Sequence, residues 1–151
     1  MPVETLRKLF KRDLGKLKTE IELYSDETIL WIIKKDISNS GGNLCLHLVG
    51  NLNTYIGSEL GRIGYVRDRV GEFANKNIPK GKLLSMVDET MKTVDEVLEK
   101  LGDDDLHKIY PVEVFKKPMT TEYFLMHLAT HLAYHLGQIN YHRRLLDVKD
   151  N

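Results

Sequence analysis

Apolar residues recur three and four positions apart along much of this chain, the spacing of a helix with one buried face. Leu6, Phe10, Leu14, Leu17, Ile21 and Tyr24 form one such stripe and predict a helix from about Val3 to Tyr24. Ser25-Asp26-Glu27 reads as a break followed by a new cap. The next piece, Thr28–Lys35, is short and apolar, and its pattern does not choose between helix and strand. Ser38-Asn39-Ser40-Gly41-Gly42 is a turn able to cap a second helix, predicted from about Asn43 to Leu60. Gly61–Pro79 reads as a long connection with helical fragments. Leu83, Val87, Met91, Val94 and Leu98 mark a third helix from about Lys80 to Leu101, stopped at Gly102-Asp103-Asp104-Asp105. Leu106–Met119, with two prolines and a β-prone Val112–Phe115, reads as an extended loop. Thr120-Thr121-Glu122 opens a fourth helix that runs to about Leu146. Four long amphipathic segments predict an all-α four-helix bundle, a single domain over residues 1–151. The long second and third connections argue against a simple up-down hairpin arrangement.

The second helix departs from the common pattern, because no charged residue occurs from Ile37 to Ser58. Helices without charge are normally buried on most sides. This one also carries an uncharged polar strip of His47, Asn51, Thr54 and Ser58. Such a strip suits a buried site or a symmetric partner, and it leads to the expectation of a homodimer.

Charge and cysteine content narrow the function classes. The chain has 22 basic and 22 acidic residues, so no net field recruits nucleic acid or an anionic membrane. No stretch approaches the roughly 18 to 20 apolar residues of a membrane span. The start shows no secretory signal, and the lone Cys45 suits a reducing compartment, so a cytoplasmic location is expected.

Histidine distribution is the anomaly. Of six histidines, four lie between His127 and His142. His127, His131 and His135 stand on successive turns of the fourth helix, on one side of it. His127 and His135 are about 12 Å apart along the axis, so only an adjacent pair can share an ion. The apolar face is defined by Leu125, Leu128, Leu132, Leu136 and Ile139. On an idealised wheel His135 lies roughly 40° from its centre, His131 roughly 80° and His127 roughly 120°. The favoured pair is therefore His131 and His135, and His47 offers a third ligand from the uncharged helix. The other reading is a set of hydrogen-bonded structural histidines at a core boundary. Neither HLATH nor HLAYH carries the glutamate of an HExxH protease, and no Glu-x-x-His pair suggests a ferritin-like di-iron centre. Cys45 points about 200° away from His47 and is not expected to be a ligand.

The chain resembles the DinB-like superfamily of bacterial proteins at four stretches: Leu46–Leu52 (LHLVGNL), Arg67-Asp68-Arg69 with Glu72-Phe73, His131–His135, and Leu136-Gly137-Gln138-Ile139. Their order spans nearly the whole chain. The resemblance implies a four-helix bundle, often dimeric, that carries a divalent metal, nickel or zinc, on three histidines. By motif those fall on His47, His131 and His135. It also implies kinship with metal-dependent transferases of low-molecular-weight thiols such as bacillithiol or mycothiol, and with a maleylpyruvate isomerase. Tyr134 and Leu136 stand where that family often has a second histidine and an arginine, which puts the substrate contacts of that arginine in doubt. Arg67, Arg69 and Glu72 are read as lining a substrate mouth or, equally, as a salt-bridged loop. Gln138 is read as a hydrogen-bond partner of a ligand or as a polar surface residue. The functional expectation is a metal-binding bundle acting as a small-thiol transferase or hydrolase on a small-molecule substrate. The alternative is a non-catalytic dimeric helical protein.

Overall fold

The computed structural model describes residues 1–148. Helix α1 runs Pro2–Leu23, α2 Gly41–Leu52, α3 Arg69–Ala74, α4 Lys80–Glu99, α5 Asp103–Leu106 and α6 Thr121–Leu146. A 3₁₀ turn covers Glu27–Trp31, and α2 continues into a π-helical turn at Asn53–Ser58. Among the described residues no strand forms; Ile109 and Thr120 share one isolated antiparallel bridge.

The four long helices form the predicted bundle. α1 and α2 each pack against both α4 and α6, so α1 and α2 lie across one diagonal and α4 and α6 across the other. Chain order therefore requires two diagonal crossings, which accounts for the long segments 24–40 and 100–120. The stripes read from sequence meet in the middle. Phe10, Leu14, Leu17 and Ile21 of α1 join Leu48 and Leu52 of α2, Leu83, Val87 and Leu98 of α4, and Leu125, Leu128 and Leu132 of α6. Helix starts are capped where the sequence offers a cap. Ser40 Oγ accepts from Asn43 N at 3.2 Å, Asp68 from Gly71 N at 2.9 Å and Thr120 Oγ1 from Tyr123 N at 3.2 Å. The ambiguous Thr28–Lys35 piece divides: Asp26 caps the 3₁₀ turn, and extended backbone follows it at Ile32.

Every residue of α2 from Gly41 to Leu52 is buried within one chain. Most of its polar groups are satisfied internally. Asn43 Nδ2 donates to the carbonyls of Glu72 and Asn75, both at 2.9 Å. Asn53 Nδ2 donates to Val49 O and Thr90 Oγ1, both at 2.8 Å. A helix can thus be free of charge because it is central to its own bundle. No second copy is needed to bury it, and the sequence argument for an interface on this helix loses its ground.

Candidate metal centre

His47 sits mid-way along α2 at 7 % exposure, facing α6 and α3. The Asn43 clamp docks α3 onto α2 and lays Glu72, itself 5 % exposed, over His47. Gly50 makes this approach possible, since a Cβ there would overlap the Glu72 carboxylate. Glu72 Oε1 lies 3.0 Å from His47 Nδ1. Arg67 grips the same carboxylate twice, Nε to Oε2 at 2.8 Å and Nη2 to Oε1 at 2.9 Å. Burial alone would raise the Glu72 pKa, but the hydrogen bonds from His47 and Arg67 and the Arg67 charge outweigh it and hold the group below its ordinary value. An ionised Glu72 fixes the His47 proton on Nδ1 and leaves a lone pair on Nε2.

The opposite wall is α6. His135 Nδ1 donates to Gln138 Oε1 at 2.7 Å, so its Nε2 also presents a lone pair. His131 stands between the two. Its Nε2 is 3.2 Å from His47 Nε2 and 3.1 Å from His135 Nε2. All three ligand atoms lie within 4.8 Å of one another. Nitrogens held at about 2.0–2.1 Å from one tetrahedral ion are about 3.3 Å apart. Two of the three spacings match such an ion, and the lone pairs of His47 and His135 directed at a third imidazole nitrogen call for a cation or a shared proton between them.

His127, the third histidine of the α6 row, stays out of the cluster. Its ring stacks on Phe124, 5.8 Å between centroids at 10°, and meets the edge of Phe115 at 4.8 Å. The remaining histidines are elsewhere. His142 is structural: Nε2 donates to Ile32 O at 2.8 Å, and Nδ1 accepts from the Tyr24 hydroxyl at 2.7 Å. His107 is exposed. Cys45 is fully buried, and burial pushes its thiol up to about 12, so it is inert. Arg67 and Arg69 both border a cavity of about 160 Å³ that opens beside His47 and His131. Larger hollows of about 380 and 730 Å³ lie on other faces of α6, and neither brings several histidines together.

The contact of Glu72 with His47 is what sequence reasoning missed. It is a tertiary contact across 25 positions, made by a short helix whose sequence has no readable period. Gly50 and Asn43, four residues to either side of the histidine or nearly so, were the available signals. Among the described residues, three buried side-chain atoms have no hydrogen-bond partner: Asn51 Oδ1, Thr54 Oγ1 and His131 Nδ1. Leaving such an atom unpaired costs about 1–3 kcal/mol.

Burial, followed by the neighbouring His135 and His47, pushes His131 down to about 4. Burial lowers His135 as well. In the unfolded chain both titrate near 6.5. The unfolded chain therefore binds more protons below about pH 6.5, and stability falls as pH drops from there towards about 4. Urea unfolding of chelator-treated protein at stepped pH checks this, and constant stability between pH 7.5 and 5 would contradict it. Zinc-loaded protein should lose stability more steeply over the same range, because protons and metal compete for the same lone pairs.

Comparison with known proteins agrees with this architecture. A search of curated proteins found no match. Among solved structures, a DinB-like protein from Bacillus cereus ATCC 10987 has the same fold, with a TM-score of 0.72 over 94 % of this chain and 91 % of that one, at 20 % identity. No helix among the described residues is long and apolar enough to cross a membrane. The family model described as "Protein of unknown function (DUF1572)" matches residues 3–151, and the chain belongs to that family, on a DinB-like fold.

Proposed function

We propose that this protein binds one divalent transition-metal ion, nickel or zinc, through the Nε2 atoms of His47, His131 and His135, and transfers a small thiol to an electrophilic acceptor. The observation that carries the reading is the convergence of those three nitrogens, with the outer nitrogens of His47 and His135 already committed to Glu72 and Gln138. Three neutral imidazoles leave a 2+ charge uncompensated, and the one nearby carboxylate is itself balanced by Arg67. When bound, such an ion supplies Lewis acidity that ionises a thiol, or water in the closest alternative of hydrolysis, near neutral pH.

The chain's own residues do the rest. Glu72 holds the His47 ring in the ligating tautomer, and Arg67 holds Glu72. Gln138 does the same for His135. Phe73 packs 5.0 Å from the His47 ring and shields it on the α3 side. Asn51, Arg69 and His127 border the cavity through which a substrate reaches the histidines. A parallel screen of thiol acceptors and of ester and amide substrates tests the reading. It compares metal-loaded protein, chelated protein and His131→Ala. Activity confined to the loaded wild type is expected; activity that survives both chelation and substitution would sink the mechanism.

A second reading has one specific observation in its favour. A proton on His131 Nε2, shared between the two facing lone pairs, would also account for the 3.1 and 3.2 Å contacts. The histidines would then be structural and the protein non-catalytic. Metal analysis of protein purified without an affinity tag separates the two.

Self-association and a cytoplasmic location belong to the same proposal. The surface for a second copy is the outer stripe of α6, where Met126, Tyr134, Tyr141 and Leu145 are each at least half exposed. Sedimentation at micromolar concentration should show a dimer, and a monomer throughout would remove this part. The buried, protonated Cys45 needs no oxidising compartment.

A further inference from the structure

A histidine that ligates through one ring nitrogen normally donates the other to an acceptor, which sets its tautomer and aims its ring. His47 Nδ1 has Glu72 for this, and His135 Nδ1 has Gln138. His131 Nδ1 is buried and has no partner. A neutral imidazole that offers Nε2 to an ion carries its proton on Nδ1, so this orphan is a donor. Among the described residues the other two buried side-chain atoms without a partner are Asn51 Oδ1 and Thr54 Oγ1, and both can accept.

Helix register brings the three groups to one level of the bundle. His47 meets His131 with the Nε2 atoms 3.2 Å apart, and Tyr55 meets Phe124 with ring centroids 5.2 Å apart. Passing along α2 from 47 to 55 therefore passes back along α6 from 131 to 124, and the two helices run antiparallel. Residue 51, half-way, stands opposite 127 and 128. Side chains lean towards the N-terminus of their own helix, which carries the His131 ring from its Cα towards that same level. Asn51 and His131 accordingly line one wall beside His47. On the wheel Asn51 and Thr54 lie within about 40° of His47, on the face that meets α6. All three atoms are enclosed, so a group inside the protein has to satisfy them. A buried water commonly makes about three hydrogen bonds to groups that are otherwise unpaired. One donor and two acceptors match its capacity to accept once and donate twice.

We infer that Asn51 is a positioning residue of the metal centre: through one internal water that it shares with Thr54, it takes the Nδ1 hydrogen bond of His131 and keeps the Nε2 lone pair turned towards His47 and His135. All three histidines would then be aimed from behind, by Glu72, Gln138 and Asn51. The inference rests on the metal reading for the ion, whereas the link from Asn51 to His131 needs no ion.

The test is long-range ¹H–¹⁵N NMR of the histidine rings together with competition titration of zinc, on wild type, Asn51→Leu and Asn51→Asp. In chelated and in zinc-loaded protein, Asn51→Leu should move the His131 Nδ1 resonance and leave the distant His142 ring in place. It should weaken zinc about 10–100-fold, the usual effect of losing a partner that orients a ligand. Asn51→Asp keeps an acceptor there and should restore most of that affinity. Zinc bound normally by Asn51→Leu, with the His131 resonance unmoved, would overturn the inference and leave the metal reading intact. Weakened zinc binding with that resonance unmoved, or equal weakening by Asn51→Asp, would mean packing alone and would also overturn it. Protein that takes up no zinc, while its His131 resonance still responds to Asn51→Leu, would support the link and remove the metal reading.

Discussion

Replacing His47, His131 or His135 by alanine is expected to lower affinity for zinc or nickel about a thousandfold, while His127→Ala leaves it within about threefold. The size follows from dividing the roughly 10–16 kcal/mol of a protein zinc site among its ligands. The selectivity follows from geometry. His127 shares the helix face but holds its ring against Phe124 and Phe115, away from the point where the three Nε2 atoms meet. Competition titration with a chromophoric chelator measures each affinity. Equal loss from His127→Ala and His135→Ala would assign the wrong pair on α6.

Glu72 is the second position with a large expected effect. Glu72→Gln keeps the shape but offers its amide NH₂ to a donor, either the His47 Nδ1–H or the Arg67 fork. Metal affinity should fall about 10–100-fold, the usual consequence of removing the partner that orients a ligating histidine. Glu72→Ala should do more. It strands Arg67, whose side chain is only 12 % exposed, beside His47 with no counter-charge. Breaking a buried pair in this way costs about 3–5 kcal/mol. Against a total stability of about 5–15 kcal/mol, that is enough to lower the urea midpoint sharply. A Glu72→Ala midpoint equal to wild type would show that α3 does not depend on the pair.

The bundle was legible because its four long helices announce themselves locally. The α1 stripe from Leu6 to Tyr24 and the α4 stripe from Leu83 to Leu98 are periodic, and their apolar positions are mostly buried. The wheel of α6 was informative for the same reason. It put His131 and His135 nearer the apolar face than His127, and in the fold those two face His47 while His127 does not. Helical phase is a local property, so sequence carries it.

Features that depend on packing were not legible. The run without charge from Ile37 to Ser58 signalled burial correctly, but not by what; the bundle itself covers α2 from Gly41 to Leu52. The π-helical turn at Asn53–Ser58 has no sequence signature, and Asn53 anchors its start to Val49 and Thr90. Arg67 and Glu72 were visible as a charged pair. That the carboxylate reaches His47 depends on Asn43 docking α3 and on the missing Cβ of Gly50, neither of which has a period to read.

X-ray absorption at the zinc edge of untagged, zinc-loaded protein reads the ligand set itself. About one ion per chain is expected, with three imidazole nitrogens at roughly 2.0–2.1 Å and an exchangeable light atom completing the shell. Loss of the imidazole scattering in His131→Ala would tie it to this cluster. Protein that retains no zinc after dialysis, or that holds it through oxygen atoms alone, would contradict the assignment of His47, His131 and His135 as a metal centre.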